Sequence, residues 1–383
     1  MTAPIAILGA GPSGLTLGRL LEVAGIDYII FERDELQSSI VGNGGTLDIH
    51  LGSGQVALQE AGLIDQFRSL ARYDVPVVLA DAKGTVHARF SENGDSERPE
   101  IDRKDLRTLL LKSIPAHRVR WASKIQSVQR DANGSISIHF TNGSIESGFR
   151  LVVGADGAWS KARSLVTSAK PQYSGLHYLT THIMPKNHFY RSAVSLVGQG
   201  NYLGIGGGKQ IPAQKLGDGS YYIAVGLRLP EHWSSENSAL LKNPEELRRL
   251  LLHDYFIDWP QVHTDLIKYS EGNFHDWPLY AMPTESLSWE TTPGLTLVGD
   301  AAHVTTPFEG EGVNCAMYDS VQLAQQIVKY GLNDLNSAVS EYEKMMFPRA
   351  IDLIERSEKN GELLFAADAP KGFLQAMFGA DSA

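Results

Sequence analysis

The sequence of 383 residues contains a single cysteine, Cys315. That scarcity excludes an internal disulfide and a cysteine-built metal cage, and it is the usage a reducing compartment favours. A cytoplasmic protein without a metal site is the expectation. Basic residues are outnumbered, 34 Lys and Arg against 44 Asp and Glu, for a formal charge of −10. Nucleic-acid grooves and anionic membrane surfaces recruit clustered Lys and Arg, so neither partner is expected. No uninterrupted apolar run reaches the roughly 18 residues of a membrane-spanning helix. The apolar N-terminus lacks a basic leader and is broken by glycines, so it reads as strand, turn and helix rather than a secretory signal. Internal repeats and low-complexity segments are missing too.

What is present is an ordinary globular composition, 43% hydrophobic and 20% charged, in a chain long enough for about two domains. Residues 4–8 form a short apolar run suited to a strand buried on both faces. A helical pattern follows with Leu15, Leu17, Leu20 and Leu21 on one side, and Tyr28 to Phe31 is the next buried strand. Together they make a β-α-β unit. Further strands are expected over 75–80, 85–90, 119–121, 136–140 and 151–154, with a helix over 105–114. Residues 173–230 read differently, as successive strands over 178–183, 193–197, 202–205 and 221–229 in a mostly antiparallel sheet. Helices are expected over 244–256, with Asn243 as N-cap, over 312–330, and over 341–365.

The first β-α-β unit carries Gly9-Ala-Gly11-Pro12-Ser13-Gly14. In this spacing the first glycine permits a tight turn, the second admits a pyrophosphate to the backbone, and the third lets helix pack on strand. Phosphate then meets the free N–H groups and positive dipole end of the helix. Glu32, 18 residues past Gly14 at the end of the next strand, can bind ribose hydroxyls. This fingerprint fits NAD and FAD equally. Far downstream, the strand Leu297-Val-Gly299 ends at Asp300-Ala-Ala-His303, placing a carboxylate where a polyol chain could meet it. The following Pro307-Phe308-Glu-Gly310-Glu-Gly312-Val313-Asn314 is a turn that opens a helix, with bare N–H groups suited to an electron-rich flavin edge.

With Gly154-Ala-Asp156-Gly157 between these two motifs, the chain resembles the class A, single-component FAD-dependent monooxygenases, the aromatic hydroxylases. The likeness spans essentially the whole sequence. It implies an α/β fold: a Rossmann-like FAD-binding domain of the glutathione reductase type, with an interleaved, mostly antiparallel substrate sheet and C-terminal helices. The implied division gives residues 1–72, 99–172 and 273–383 to the FAD-binding domain and 73–98 with 173–272 to the substrate domain. Asp156 then supports the pyrophosphate region and nicotinamide use, and Asp300 the ribityl chain. Segments 44–55 and 100–107 resemble the tetracycline-inactivating branch most closely, which carries FAD contacts onto Asp48 and Arg103 and sets Arg33 near the adenosine half. Arg103 also has a physical reason, since a guanidinium offers fixed donors to phosphate or flavin carbonyl oxygens. A surface salt bridge is its alternative.

By the same resemblance NADPH or NADH reduces the flavin, O2 forms a C4a-hydroperoxide, and one oxygen passes to an electron-rich, aromatic or polycyclic small molecule. The cofactor supplies that chemistry, so no Ser-His-Asp or metal constellation is needed. Phe308 and Tyr222 are expected beside the substrate. Alignment by eye sets Thr180 and Tyr202 where the tetracycline branch has Gln and Arg, and Val41 where it has an Arg for NADPH, so tetracycline is not the expected substrate. A flavoprotein oxidase or reductase, and an FAD-containing binding protein, are the rival readings. A flavin halogenase would need a Trp-x-Trp-x-Ile-Pro signature that the sequence lacks. His303 and Cys315 read as packing residues, and Glu309 and Glu311 as either flavin-tuning or solvated carboxylates. A monomer or weak homo-oligomer is expected.

Overall fold

The computed structural model describes residues 3–35, 44–90 and 97–378; Val41 lies outside them. The chain opens with β1 (Ile5–Leu8), α1 (Pro12–Val23) and β2 (Tyr28–Phe31). Pro12 takes the first helical position, where its missing N–H costs nothing. Leu15, Leu17, Leu20 and Leu21 are all buried, so α1 packs its leucine side on the sheet. The next stretch holds β3 (Thr46–Asp48), α2 (Gly54–Glu60), α3 (Ile64–Leu70), β4 (Val77–Asp81), β5 (Val86–Phe90), β6 (Glu100–Asp102) and α4 (Arg103–Lys112). After it run β7 (Val119–Arg120), β8 (Ile125–Arg130), β9 (Ile136–Phe140), β10 (Ile145–Glu146) and β11 (Leu151–Gly154).

The middle of the chain supplies β12 (Gln172–Ile183), α5 (Tyr190–Val197), β13 (Asn201–Gly206), β14 (Lys209–Lys215), β15 (Tyr221–Arg228), α6 (Trp233–Glu236), α7 (Ser238–Leu241), α8 (Pro244–Leu250), α9 (Gln261–Lys268) and β16 (Glu271–Ala281). The Asn243 side chain accepts from the Glu246 N–H and caps α8. The last part gives β17 (Leu295–Leu297), α10 (Asp300–His303), α11 (Gly312–Tyr330), α12 (Leu335–Leu364) and α13 (Lys371–Phe378). None of the described helices is long and apolar enough to cross a membrane.

Two sheets organise these elements. A five-stranded parallel sheet has the order β17-β11-β1-β2-β7, and β1 and β11 at its centre are buried at every residue. That matches the unbroken apolar runs of strands covered on both faces. A seven-stranded sheet, β16-β12-β15-β14-β13-β4-β5, is antiparallel except where β13 runs parallel to β4. Its outer face, with Leu179, Ile211, Ile223 and Val225, packs on α5, α8 and α9 as a core of its own.

Two expectations fail inside this second sheet. Residues 193–197, read as a strand, belong to α5; Ala193 and Val197 are buried while Arg191, Ser192 and Ser195 are exposed, a helical period that the short apolar run concealed. The strand missed in its place is β14, whose Pro212 is a signal against strand structure. Its pairing with β15 skips Pro212, which has no N–H to give.

Candidate functional site

The glycine motif is shaped by backbone contacts. Gly9 sits at φ +109°, and a Cβ there would lie 2.4 Å from the Ala155 carbonyl oxygen; a Cβ on Gly14 would lie 2.1 Å from the Gly9 oxygen. Only hydrogen fits at these two positions. A Cβ on Gly11, by contrast, would meet nothing within 4 Å. The protein itself does not demand glycine there, and the open space leaves the backbone free to meet an approaching group. The first α1 hydrogen bond runs from Leu15 N to Gly11 O, leaving the Ser13 and Gly14 N–H groups ahead of the ladder.

Glu32 is buried at the end of β2 and accepts from Ala10 N at 2.6 Å and Asp34 N at 3.0 Å. Arg107, which sequence reasoning missed, closes this corner: its Nε donates to Ala10 O at 2.9 Å, and its Nη1 to Asp34 at 2.9 Å. Its one signal was its place one helical turn after Arg103. Arg33 is exposed beside them.

Deeper in, Arg103 and Asp300 keep side chains open to solvent, while the protein packed around them desolvates their charges. Together they fit an open recess rather than a packed core. Burial pulls the Arg103 guanidinium down, opposed by Tyr222 and Asp300. Arg103 makes no salt bridge among the described residues, so the ion-pair alternative is not what holds it. Its stem lies under Gly44, where a Cβ would be 2.5 Å from Arg103 Cδ. Burial raises the Asp300 carboxyl, against the pull of His303, Arg103 and Arg163. Arg163 also fixes the turn, donating from Nε to Ala301 O and from Nη2 to Asp300 O, both at 2.8 Å. Asp156 is raised by burial as well; its Oδ2 accepts from Lys161 N at 2.6 Å, and Oδ1 has no partner. An orphaned carboxylate oxygen beside a phosphate-type helix end fits a ligand with hydroxyls.

The loop from Pro307 to Glu311 is tied to α12. Arg356 donates to Glu309 at 2.5 Å and to Glu311 at 3.2 Å, Asn360 donates to Glu309 at 2.6 Å, and the Ser357 hydroxyl reaches Thr306 O at 2.7 Å. Both loop carboxylates are thus anchors, paired with Arg356 while still partly exposed to solvent. Gly310, at φ +71°, leaves room for Asp48, whose carboxylate would lie 3.3 Å from a Cβ there. In α11 the first intrahelical bond is Cys315 N to Glu311 O, so the Gly312, Val313 and Asn314 N–H groups precede the ladder. The Asn314 side chain is committed to the protein: Nδ2 donates to Asp48 O and Oδ1 accepts from His50 N, both at 2.8 Å. Only its backbone is left to meet a cofactor.

The facing wall is the inner side of the seven-stranded sheet. Register puts Tyr178, Thr180 and His182 of β12 on one face with Tyr222 of β15 and Trp277 of β16. Trp277 Nε1 donates to the Thr180 hydroxyl at 3.1 Å. Phe308 meets this wall at Tyr178 and Phe365, ring centroids 6.4 and 5.8 Å away, and lies over Gly361 of α12. Tyr202 does not join them. It pairs with Ala213, one residue out of phase with Leu203, and so points to the outer face, where its hydroxyl lies 2.6 Å from His263 Nε2. The expected substrate contact at Tyr202 is therefore corrected to a core contact.

Burial lowers the His263 imidazole from 6.5 to about 4. A base depressed in the folded state binds its proton more readily unfolded, so its contribution to stability is complete above pH 6.5 and drains as the pH falls toward 4. The expected loss between about pH 7.5 and about pH 5 is about 2 kcal/mol. Urea unfolding of His263→Gln should show a flatter pH dependence than the wild type over that range, and parallel curves would refute this.

Known proteins resemble the chain over nearly its whole length. The family described as FAD binding domain matches residues 2–356. Monooxygenase asqM of Emericella nidulans is 31% identical over 97% of this chain and 98% of its own length. HpxO of Klebsiella pneumoniae, solved with FAD and uric acid, superposes with a TM-score of 0.79 at 22% identity over 99% of this chain and 92% of HpxO. Tetracycline destructase Tet(51) superposes with a TM-score of 0.70 at 19% identity over 95% of this chain and 91% of its own. The chain belongs to the FAD binding domain family. It is an FAD-dependent monooxygenase that oxygenates small molecules, with the NAD(P)H and O2 use typical of that family. The cleft lined by the Gly9 turn, Arg103, Asp156 and Asp300 has the donors, acceptors and free helix ends that FAD requires.

Proposed function

We propose that the enzyme hydroxylates an electron-rich aromatic or polycyclic substrate held between the loop at Phe308 and the inner face of the seven-stranded sheet. The observation that carries this is the aromatic face of Tyr178, Tyr222 and Trp277, which Phe308 closes at the Tyr178 end and Arg103 neighbours at Tyr222. Pockets of this kind orient a flat ligand by apolar contact and a few polar groups. Here the polar groups are the hydroxyls of Tyr222 and of Thr180, the latter bonded to Trp277.

In this reading Gly9, Gly11, Pro12, Ser13 and Gly14 receive the pyrophosphate, with Glu32 and Arg33 on the adenosine side. Asp156 and Asp300 take the pyrophosphate edge and ribityl hydroxyls, while Asp48, Arg103, Pro307, Gly310 and the 312–314 backbone surround the flavin. Bound there, FAD supplies the redox chemistry; the chain binds, orients and excludes water. The split into residues 1–72, 99–172 and 273–383 against 73–98 and 173–272 goes with these roles. A cytoplasmic enzyme, monomeric or weakly self-associating, completes the proposal.

Incubating the protein with NADPH and a panel of phenolic, indolic and polyketide compounds should yield a product heavier by one oxygen. Anaerobic flavin that neither NADPH nor NADH bleaches, with every candidate present, would overturn the reading. Phe308→Ala should cut kcat/KM for an accepted substrate about tenfold while FAD content holds, because the ring is shared between the wall and α12. Unchanged kinetics on several substrates would remove Phe308 from the pocket.

A further inference from the structure

Behind the turn that carries Asp300 lies a buried cluster of charges. Asp319 of α11 has no exposed surface, and both its oxygens are occupied. Oδ2 accepts from Gly299 N at 2.8 Å and pairs with His303 Nε2 at 2.6 Å; Oδ1 accepts from Arg349 Nη2 at 2.7 Å. Cys315 Sγ lies 4.0 Å from the same imidazole nitrogen. His303, Cys315 and Asp319 approach one another within 4.8 Å as metal ligands might, but Arg349 already holds a fixed positive charge against that carboxylate.

Burial would strip the proton from His303; the Asp319 carboxylate more than reverses this and holds the ring well above its ordinary value. Burial would raise Asp319, and His303, Arg349 and the Gly299 N–H together hold it below the usual range. Two cations therefore share one anion, with the His303 ring enclosed and Arg349 partly open to solvent. Anchoring Gly299 requires the carboxylate alone, and a second buried cation carries a desolvation cost of several kcal/mol. Asp300 opens the same short helix three residues before His303, and His303 pulls on its carboxyl against the effect of burial.

We infer that His303 is an electrostatic positioning residue: locked on Asp319 behind the Asp300 turn, it sets the charge around that turn to suit the cofactor and favours the more negatively charged reduced flavin. The inference rests on FAD lying along Asp300. A fixed charge near a flavin shifts its potential whether or not it touches the ring.

His303→Gln keeps a side-chain N–H for Asp319 and removes the charge. Titration of the apoprotein with FAD should show about tenfold weaker binding, and the bound flavin's midpoint potential should move negative. Binding within twofold of wild type together with an unchanged potential overturns the inference. Should His303→Gln fail to fold, Arg349→Gln and Arg349→Lys decide: weaker FAD binding in the first and recovery in the second support it, and equal behaviour of the two overturns it. Asp300→Asn separates the two levels of the argument. If it leaves FAD affinity intact, the placement of FAD along Asp300 falls and the inference with it. If it weakens FAD binding while the His303 variant does not, only the electrostatic role falls.

Discussion

Gly11→Ala should bind FAD about a hundredfold more weakly, a loss of about 3 kcal/mol, while its apoprotein melts like the wild type. The reason is the asymmetry within one turn. A methyl group on Gly11 meets no protein atom within 4 Å, and the backbone there, at φ −80° and ψ 179°, suits any residue. The fold tolerates the substitution and only an approaching pyrophosphate objects. Gly14→Ala is the contrasting case, because its Cβ would lie 2.1 Å from the Gly9 oxygen and 3.2 Å from Ala155 Cβ. That variant should lose FAD and melt at lower temperature as well. Differential scanning calorimetry of the apoproteins, paired with FAD titration, separates the two; equal melting losses in both variants would show that Gly11 is a packing glycine.

Arg103→Met should weaken FAD binding tenfold or more without lowering the melting temperature of the apoprotein. An ion-paired arginine behaves otherwise, since its removal strands a carboxylate. Arg103 has no such partner among the described residues, and burial already works against its charge. Methionine keeps the stem that lies beneath Gly44 and removes the guanidinium. The apoprotein should therefore gain stability or stay level, and the cost should appear only when cofactor is added. A destabilised apoprotein with normal FAD affinity would return Arg103 to a structural role.

Where signals were local, the sequence was readable. The β1-α1-β2 unit, the buried runs at 151–154 and 295–297, and the 312–330 helix each carried their own period and punctuation within a few residues. The closeness of Gly9 and Asp156 followed from reading the spaced motifs as serving one extended cofactor. Register was not legible. Thr180 and Tyr202 came from the same alignment, but one residue of phase sends the first to the cleft and the second to His263. Nor were the partners of the Asp300 turn, because Arg163, Asp319 and Arg349 come from three separate elements and nothing in their own neighbourhoods marks them. The anchoring of Glu309 and Glu311 needed α12 in place beside the loop, which no spacing of acidic residues reveals.

The strand order β17-β11-β1-β2-β7 has a consequence in time as well as space. While the chain is being synthesised, β11 pairs with β1 early but must wait about 140 residues for β17 to cover its other side. During that interval a fully apolar parallel edge stands open, with five of the seven strands of the second sheet still to be made. Long-range parallel pairing of this kind folds slowly and leaves edges vulnerable to wrong partners. Since β17 leads directly into Asp300, the last strand to dock is also the one that brings the carboxylate. A nascent chain halted before residue 295 should be aggregation-prone and colourless, and one released past α11 should be the first able to capture flavin.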